Sequence, residues 1–599
     1  MSSIFKTPQT NRSLSKPVFK RNTPVSPGKN VALGEGVAIA TPTSDSAFAA
    51  ENTGVLAGRR FGNRSNIQSQ TKNAGYFKGR KNIMGFILPS VLMFIVVAGF
   101  LGSAVLMVIM NNFFVVGNTI QSQQSFNIAE AGVNYYLWHL AHNGTDYKDG
   151  QNIPTTPDPQ LGYGPYVHTY VDSNATDQGT FTLWIKPQGS GSTIVNVRSI
   201  GKAKGSAITR TVEAQIGATS FASYGLLADV EFWFGDDEAA NGPVFSNQGV
   251  HMDGPSSDTV SSANATYVPL PQYGGNGSTK PGVWCDTSVL SPNCNTRDKS
   301  NWLYPQTRID FNQVSTSLCS MKKVAFANDP STAGLASLAN ACSQVPTTRT
   351  AAYIPRNGST FSRTKGYLIQ LNTDGTYNLH RVSAENDRLT PYTSALTLQA
   401  VATNIAVPSS GVIFVEDNVW VRSNPTFHGR VTIAAGQLAS ATNAADINIA
   451  DDIVYTTKNG EDAIGLVAEN NILVAPYAPP ANGSFNFEID AATLAQSGSV
   501  TWPDRYKSDN TRCTRGWVNA NQTFTYYGSV ATRQYWTWNY QRGGSCGDAV
   551  YDNSVGRYIS GIRHTATNYD YNLLYAPPPS YPITGGYSIM SWREVLTKP

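Results

Sequence analysis

Five carboxylates, Glu416, Asp417, Asp451, Asp452 and Glu469, stand at equivalent places in short apolar–polar–apolar units of this 599-residue chain. Lined up on one face of a β structure, such a row could protonate a glycosidic oxygen and activate water, as carboxylate pairs do in polysaccharide hydrolysis. The same residue types are the usual occupants of β corners, where Asp and Asn bond their own loops and accept left-handed backbone. The corner role is the expectation, and an enzyme acting on polysaccharide is the alternative. The seven histidines (His139, His142, His168, His251, His380, His428 and His564) are scattered, and none stands in HExxH or another ligand spacing. Calcium at Asp236, Asp237 and Glu238, or at Asp451 and Asp452, would lack EF-hand or nonapeptide spacing, so no metal and no cofactor is expected.

The six cysteines, Cys285, Cys294, Cys319, Cys342, Cys513 and Cys546, form an even set, the pattern of an exported disulfide framework. Pairing by proximity gives Cys285–Cys294, Cys319–Cys342 and Cys513–Cys546. A zinc site would want a CxxC pair or a nearby histidine, and neither occurs.

Export needs an anchor or signal. The run from Phe86 to Met110 contains no charged residue and is entered through Lys78, Arg80 and Lys81. At ~1.5 Å per residue this run extends roughly 37 Å as a helix, more than the ~30 Å hydrocarbon core requires. Residues 1–82 hold 13 Lys/Arg against Glu35, Asp45 and Glu51, a balance of +10, whereas the whole chain is +4. Positive charge beside a spanning helix stays in the cytoplasm, so the expected topology is N-terminus inside and the bulk outside. The tail is polar, Pro- and Gly-bearing and without sustained periodicity, which predicts disorder. Its basic residues are too spread for a nucleic-acid partner and suit the bilayer surface.

Beyond the apolar run, Phe126, Ala129, Val133, Tyr136, Leu137 and Leu140 recur at three- and four-residue steps, one face of a helix with something to pack against. Thr180–Lys186, Thr193–Ile200 and Thr209–Ile216 then read as strands separated by Gly-rich turns. A long helix laid on a small antiparallel sheet is the predicted unit, over residues 118–217, after a membrane segment at 83–117.

This order resembles the type IV pilin superfamily, and within it the PilX-type minor pilins of pilus assembly. Gly85-Phe86 after basic residues resembles the site cut by prepilin peptidase. Ala129-Glu130-Ala131-Gly132 resembles the AEAG-type element of the pilin helix, and SIGKAKGSAITRTVEAQI resembles the closing strand pair of the pilin sheet. The resemblance implies other pilins or pseudopilins, inner-membrane assembly proteins and prepilin peptidase as partners, and no reaction. It also implies a glutamate at the fifth mature position, where this chain has Ser90 behind Pro89. That glutamate neutralises a neighbour's N-terminal amine in the family, so its absence implies a tip or initiator subunit rather than a repeating shaft subunit. The leader, at 85 residues, is long for a prepilin.

Residues 218–599 are rich in Asn, Thr, Ser, Gly and Tyr and predict a large β ectodomain. Short strand–bend–strand units at 412–421, 447–455, 466–474 and 244–252 suggest a β-solenoid with coils of roughly 17–19 residues, with a β-sandwich as the alternative. Residues 255–345, with four cysteines, read as an insertion carrying a helical piece near Leu335–Ala341. The aromatics after residue 525 (Tyr526, Tyr527, Tyr535, Trp536, Trp538 and Tyr540 among them) are expected in cross-strand packing; surface glycans are the ligand they would suit if exposed. The end of the chain, Pro577-Pro578-Pro579 and Ser588 to Glu594, is expected to cover the open end of the solenoid. The whole is therefore read as mainly β, a single-pass protein of the cytoplasmic membrane with an extracellular head.

Overall fold

A computed structural model describes residues 87–599 apart from 143–145, 152–155, 189–192, 236–237, 287–293, 295, 328–341, 359, 389, 441, 504–512 and 596–599. The basic tail, Gly85, Phe86, Asp236, Asp237 and the helical piece expected near Leu335–Ala341 lie outside these residues. The protein is mainly β, with one long N-terminal helix, α1 (Ile87–His142), a small antiparallel sheet and a large β-rich region after it.

The small sheet begins with β1 (Tyr163–Val171), β2 (Asp177–Pro187), β3 (Ile194–Ala203) and β4 (Thr209–Gly217), paired in sequence order and all antiparallel. β2 and β3 alternate buried and exposed positions, so one face is free to receive a helix. The three expected strands are β2, β3 and β4. β1 was not anticipated, because Gly164-Pro165 and the polar residues of YGPYVHTYV break the alternation.

The larger region is wound from short parallel strands. In the eleven-stranded sheet Tyr353–Ile354, Val412–Val415, Arg430–Ala435, Ala463–Ala468, Phe485–Ala495 and β6 (Gln522–Thr532) pair in succession. A second ladder runs through Gly366–Asn372, Asn418–Asn424, Ile447–Ile449, Ile472–Val474, Val500–Thr501 and Trp536–Thr537. From Val412 onward the chain mostly alternates between the two ladders. The sequence units were partly misphased: Ile447–Ile449 lies in the second ladder and follows Arg430–Ala435 of the first, so the two belong to different sheets. Val412 pairs with Thr432, Thr432 with Gly465, Gly465 with Ala492 and Ala492 with Ser529, steps of 20, 33, 27 and 37 residues. Apart from that step of 20, lengths near the expected one occur earlier, where β5 (Leu226–Ala228), Val244–Ser246 and Val260–Ser262 pair at 18 and 16 residues. Loops of unequal length lengthen the later steps and hid any period.

Both faces of the first ladder are covered. Ile413, Val415, Ile433, Ala435, Leu466 and Ala468 face the interior between ladders, while Val412, Phe414, Ala434, Val467 and Leu494 meet helix α2 (Gln313–Ala327) through Val314, Leu318 and Met321. Continuous apolar runs such as VIFV follow from this double burial. Residues 255–345 contribute rungs of their own, since Val260–Ser262 and Trp302–Leu303 extend the same sheet.

The ladder order is not the chain order. β5 pairs with the C-terminal part of β6, Val530–Thr532, while β7 (His564–Tyr569) pairs with its N-terminal part, Thr523–Gly528. The final strand, β8 (Ser588–Val595), does not cap the ladder as expected. It runs antiparallel beside β4 as the fifth strand of the small sheet, with Arg593 on Glu213 at 2.6 Å. Pro577–Tyr581 does not close an end either: it lies over the outer face of interior strands of the first ladder, where Arg430 donates to the Ala576 and Pro577 carbonyls at 2.7 Å each and Thr432 to that of Pro579 at 2.6 Å.

Candidate functional site

From Leu88 to Val116 every residue of α1 is exposed, and none carries a charge. Phe94, Phe100, Met110 and Phe113 are each more than 70% accessible. A contiguous apolar surface of this kind in water is a site of attachment, to lipid or to another apolar helix. By length and composition the helix is compatible with a single-pass membrane anchor. Ser90 lies within this exposed stretch.

The outer part of α1 is built differently. Ala129, Val133, Tyr136 and Leu140 are buried against Leu183, Ile185, Val197 and Val212, and Phe126 and Leu137 pack at the margin. Two glycines set the distance of approach. A β carbon at Gly201 would stand 2.1 Å from the Ser125 carbonyl oxygen and 2.4 Å from the Ala129 nitrogen; one at Gly132 would stand 2.3 Å from Ser199 Oγ and 2.9 Å from Phe181. At Gly201 backbone therefore meets backbone, at Gly132 the helix meets the Ser199 and Phe181 side chains, and both contacts exclude any larger residue. Ser125 Oγ, fully buried, accepts from the Ala203 amide at 3.0 Å and donates to the Ile208 carbonyl at 2.9 Å. The two glycines belong to the AEAG and SIGKAKG phrases, so the phrases encode this close packing. Glu130 is half-buried on the same turn. β8 reaches the helix as well: Trp592 packs edge-on against Phe126 at 5.8 Å, and Arg210, paired with Glu594, donates to Ser122 at 2.6 Å.

The carboxylate row does not line an open groove. Glu416 and Asp417 are buried at 0% and 1% exposure. Glu416 pairs with the equally buried Lys322, and Asp417 accepts from the amides of Asn357 and Asn418 at 2.8 and 2.9 Å. Glu469 accepts from the Gln437 amide at 2.6 Å, Asp451 pairs with Arg422 at 3.1 Å, and Asp452 accepts from the Glu488 amide at 2.8 Å. Burial pushes Glu416, Asp417, Asp452 and Asp490 up to about 6. Glu416 is held by the Lys322 ion pair alone, whereas Asp417, Asp452 and Asp490 accept from backbone amides. One corner forms a true ladder: Asn418 accepts from the Asp446 amide at 3.0 Å, Asp446 from that of Asn471 at 3.0 Å, and Asn471 from that of Ser499 at 2.9 Å. These bonds satisfy backbone groups that the bends would otherwise strand.

The structure joins Cys285 to Cys294, Cys319 to Cys342 and Cys513 to Cys546, with Cα separations of 5.7, 5.2 and 5.3 Å. No GxSxG nucleophile elbow is expected from the sequence, yet Gly543-Gly544-Ser545-Cys546-Gly547 does spell GxSxG. It lies in a bend after Asn539–Arg542, Cys546 is held by its disulfide, and no helix follows, so it lacks the strand–turn–helix setting of a nucleophile elbow. Among the described residues no group of three or more His, Cys, Asp or Glu is placed to hold a metal ion. Of the late aromatics, Tyr526, Trp538, Tyr540, Tyr569 and Tyr581 are core residues, whereas Tyr571 and Tyr575 are about half exposed.

No protein-family model matches this chain, and no curated protein sequence matches it. Among solved structures it is similar to the competence-associated pilin ComZ from Thermus thermophilus, at 13% identity over 79% of this chain and 98% of that one, with a TM-score of 0.24.

Proposed function

We propose that this protein is a minor-pilin-class subunit, anchored in the cytoplasmic membrane by α1 and displaying its β region outside the cell. One observation carries the reading: the exposed, uncharged surface of Leu88–Val116 belongs to the same helix that docks, through Gly132 and Gly201, on a small antiparallel sheet. In this reading the apolar stretch packs among the helices of other pilins or pseudopilins, the basic tail stays in the cytoplasm, and prepilin peptidase cuts between Gly85 and Phe86. Ser90 in place of a glutamate suits a position at or near the tip, as initiator or adhesin. The two parallel ladders are read as one solenoid, the displayed head. The engaged state of the carboxylates speaks for a binding rather than a hydrolytic role.

The test is surface display. Protease added to intact cells should degrade the β region, and deletion of the other pilus genes should abolish its display at filaments. A β region protected in intact cells, together with soluble fractionation, would overturn the anchor. Mass spectrometry of the membrane-extracted chain tests the cut; an intact tail on every molecule refutes it.

A further inference from the structure

Where the two ends of the ladder meet, β6 is longer than either partner on its outer side. Its first half pairs with β7 and its last three residues with β5. The fork leaves a cavity of about 650 Å³, within the ~300–1,000 Å³ of small-molecule sites. Phe232, Phe234, Phe524, Trp536 and Trp538 line it, with Phe234 to Trp536 at 6.0 Å and Trp536 to Trp538 at 5.8 Å between ring centroids. Thr523, Thr525, Thr565 and Thr567 add hydroxyls along β6 and β7. The formal charges in the lining are Glu238 and Arg563, one of each sign, and Arg563 lies 3.4 Å from Asp552.

Besides Arg563 Nε, which faces Asp552 as an ion pair, two polar atoms in this lining are left over. Trp536 Nε1, a donor, and Asn539 Oδ1, an acceptor on a side chain only 7% exposed, are buried without a hydrogen-bond partner. Buried polar groups of a folded chain are normally satisfied, and such orphans mark a place where something else supplies the bond. What fits must offer a flat apolar face to the rings, groups that both donate and accept, and no net charge. Pyranose rings do all three: axial C–H faces stack on indoles while hydroxyls bridge donor and acceptor.

We propose that this cavity binds a neutral oligosaccharide, with Trp536 as platform and donor and Asn539 as acceptor. The inference rests on the reading of the β region as a displayed head and gives that head its ligand class. The sequence missed half the site, because Phe232 and Phe234 come from a strand just over 300 residues before Trp536. The full-length protein, reconstituted in lipid nanodiscs so that no sugar-headed detergent competes, is applied to an array of neutral and acidic oligosaccharides and of extended peptides. Neutral sugars should be retained. Trp536→Ala should weaken the best one at least tenfold, Trp536→Phe severalfold through loss of Nε1, and Trp592→Phe on the remote β8 not at all. A folded protein that retains no neutral sugar, that retains only peptides or acidic sugars, or whose binding ignores Trp536 would overturn the proposal. None of those outcomes bears on membrane anchoring, which protease accessibility tests separately.

Discussion

Replacing Lys322 by Met should destabilise the β region by an amount that depends on pH. Lys322 and Glu416 are both fully buried; the ammonium pairs with the carboxylate and donates to the Gln344 carbonyl at 2.6 Å and that of Cys342 at 3.4 Å. Removing one partner of a buried pair strands the other charge, at a cost of about 3–5 kcal/mol. Glu416 has an escape, because burial already holds it at about 6 even beside Lys322, and nearby Glu469 pushes the same way. Without the ammonium it binds a proton more readily still. The folded value lies above the unfolded value of ~4.3, so the native state takes up the proton first as pH falls. At pH 5 the variant therefore keeps a neutral carboxyl, and the penalty shrinks towards the lost carbonyl bonds, about 1–2 kcal/mol. Urea midpoints of wild type, Lys322→Met and Lys322→Met/Glu416→Leu at pH 5 and pH 7.5 read this directly. The double variant should recover most of the loss at pH 7.5, as apolar replacement of buried pairs does. An equal loss at both pH values, or one below about 1 kcal/mol at pH 7.5, would refute the buried ion pair.

Gly201→Ala places a methyl 2.1 Å from a helix carbonyl, so α1 must lift from the sheet at a cost of about 3 kcal/mol; limited proteolysis should then cut within 163–217. Unchanged resistance would mean that the approach is looser than described. Ending the chain before Ser588 removes β8, and hydrogen exchange at Thr211–Gly217 should rise while the ladder strands keep their protection. Asp417, Asp452 and Asp490 are raised to about 6 by burial, so the native state binds more protons than the unfolded one as pH falls from 7 to 5. The thermal midpoint should climb across that interval, and a fall would contradict the burial of these groups.

Local patterns were legible and long-range ones were not. The helix face from Phe126 to Leu140 and the strands β2, β3 and β4 follow from period and turn chemistry, and all are present. The corner role of Asp and Asn was also legible, although the depth of Glu416 and Asp417 was not. Nothing in an isolated Glu-Asp-Asn triplet announces that a lysine nearly 100 residues earlier will be buried against it. Coil length was misread because a ladder fixes only the strands, whereas loops of any length can hang between them at small entropic cost. β8 escaped notice for a related reason. SIMSWREV pairs with a strand whose partner lies some 375 residues upstream, and no periodicity within eight residues encodes that.

The position of β8 explains the unusual order of the ladder. β4 and β8 are antiparallel neighbours, so the chain leaves the small sheet and returns to it at the same edge. The β region is thus held by two strands of one sheet, and its first and last strands must begin and end close together. A simple stack wound from one end to the other would leave its last coil far from the sheet. Instead the chain winds outward from β5 through Val260–Ser262 and Trp302–Leu303, and crosses the ladder by way of α2. It then winds back from Tyr353 until β6 meets β5. The seam between β5, β6 and β7 follows from that return, and so does the cavity, because strands of unequal length converge there. Doubling the attachment also means that separating the β region from the helix-docked sheet requires peeling β8 from β4 as well as releasing β5.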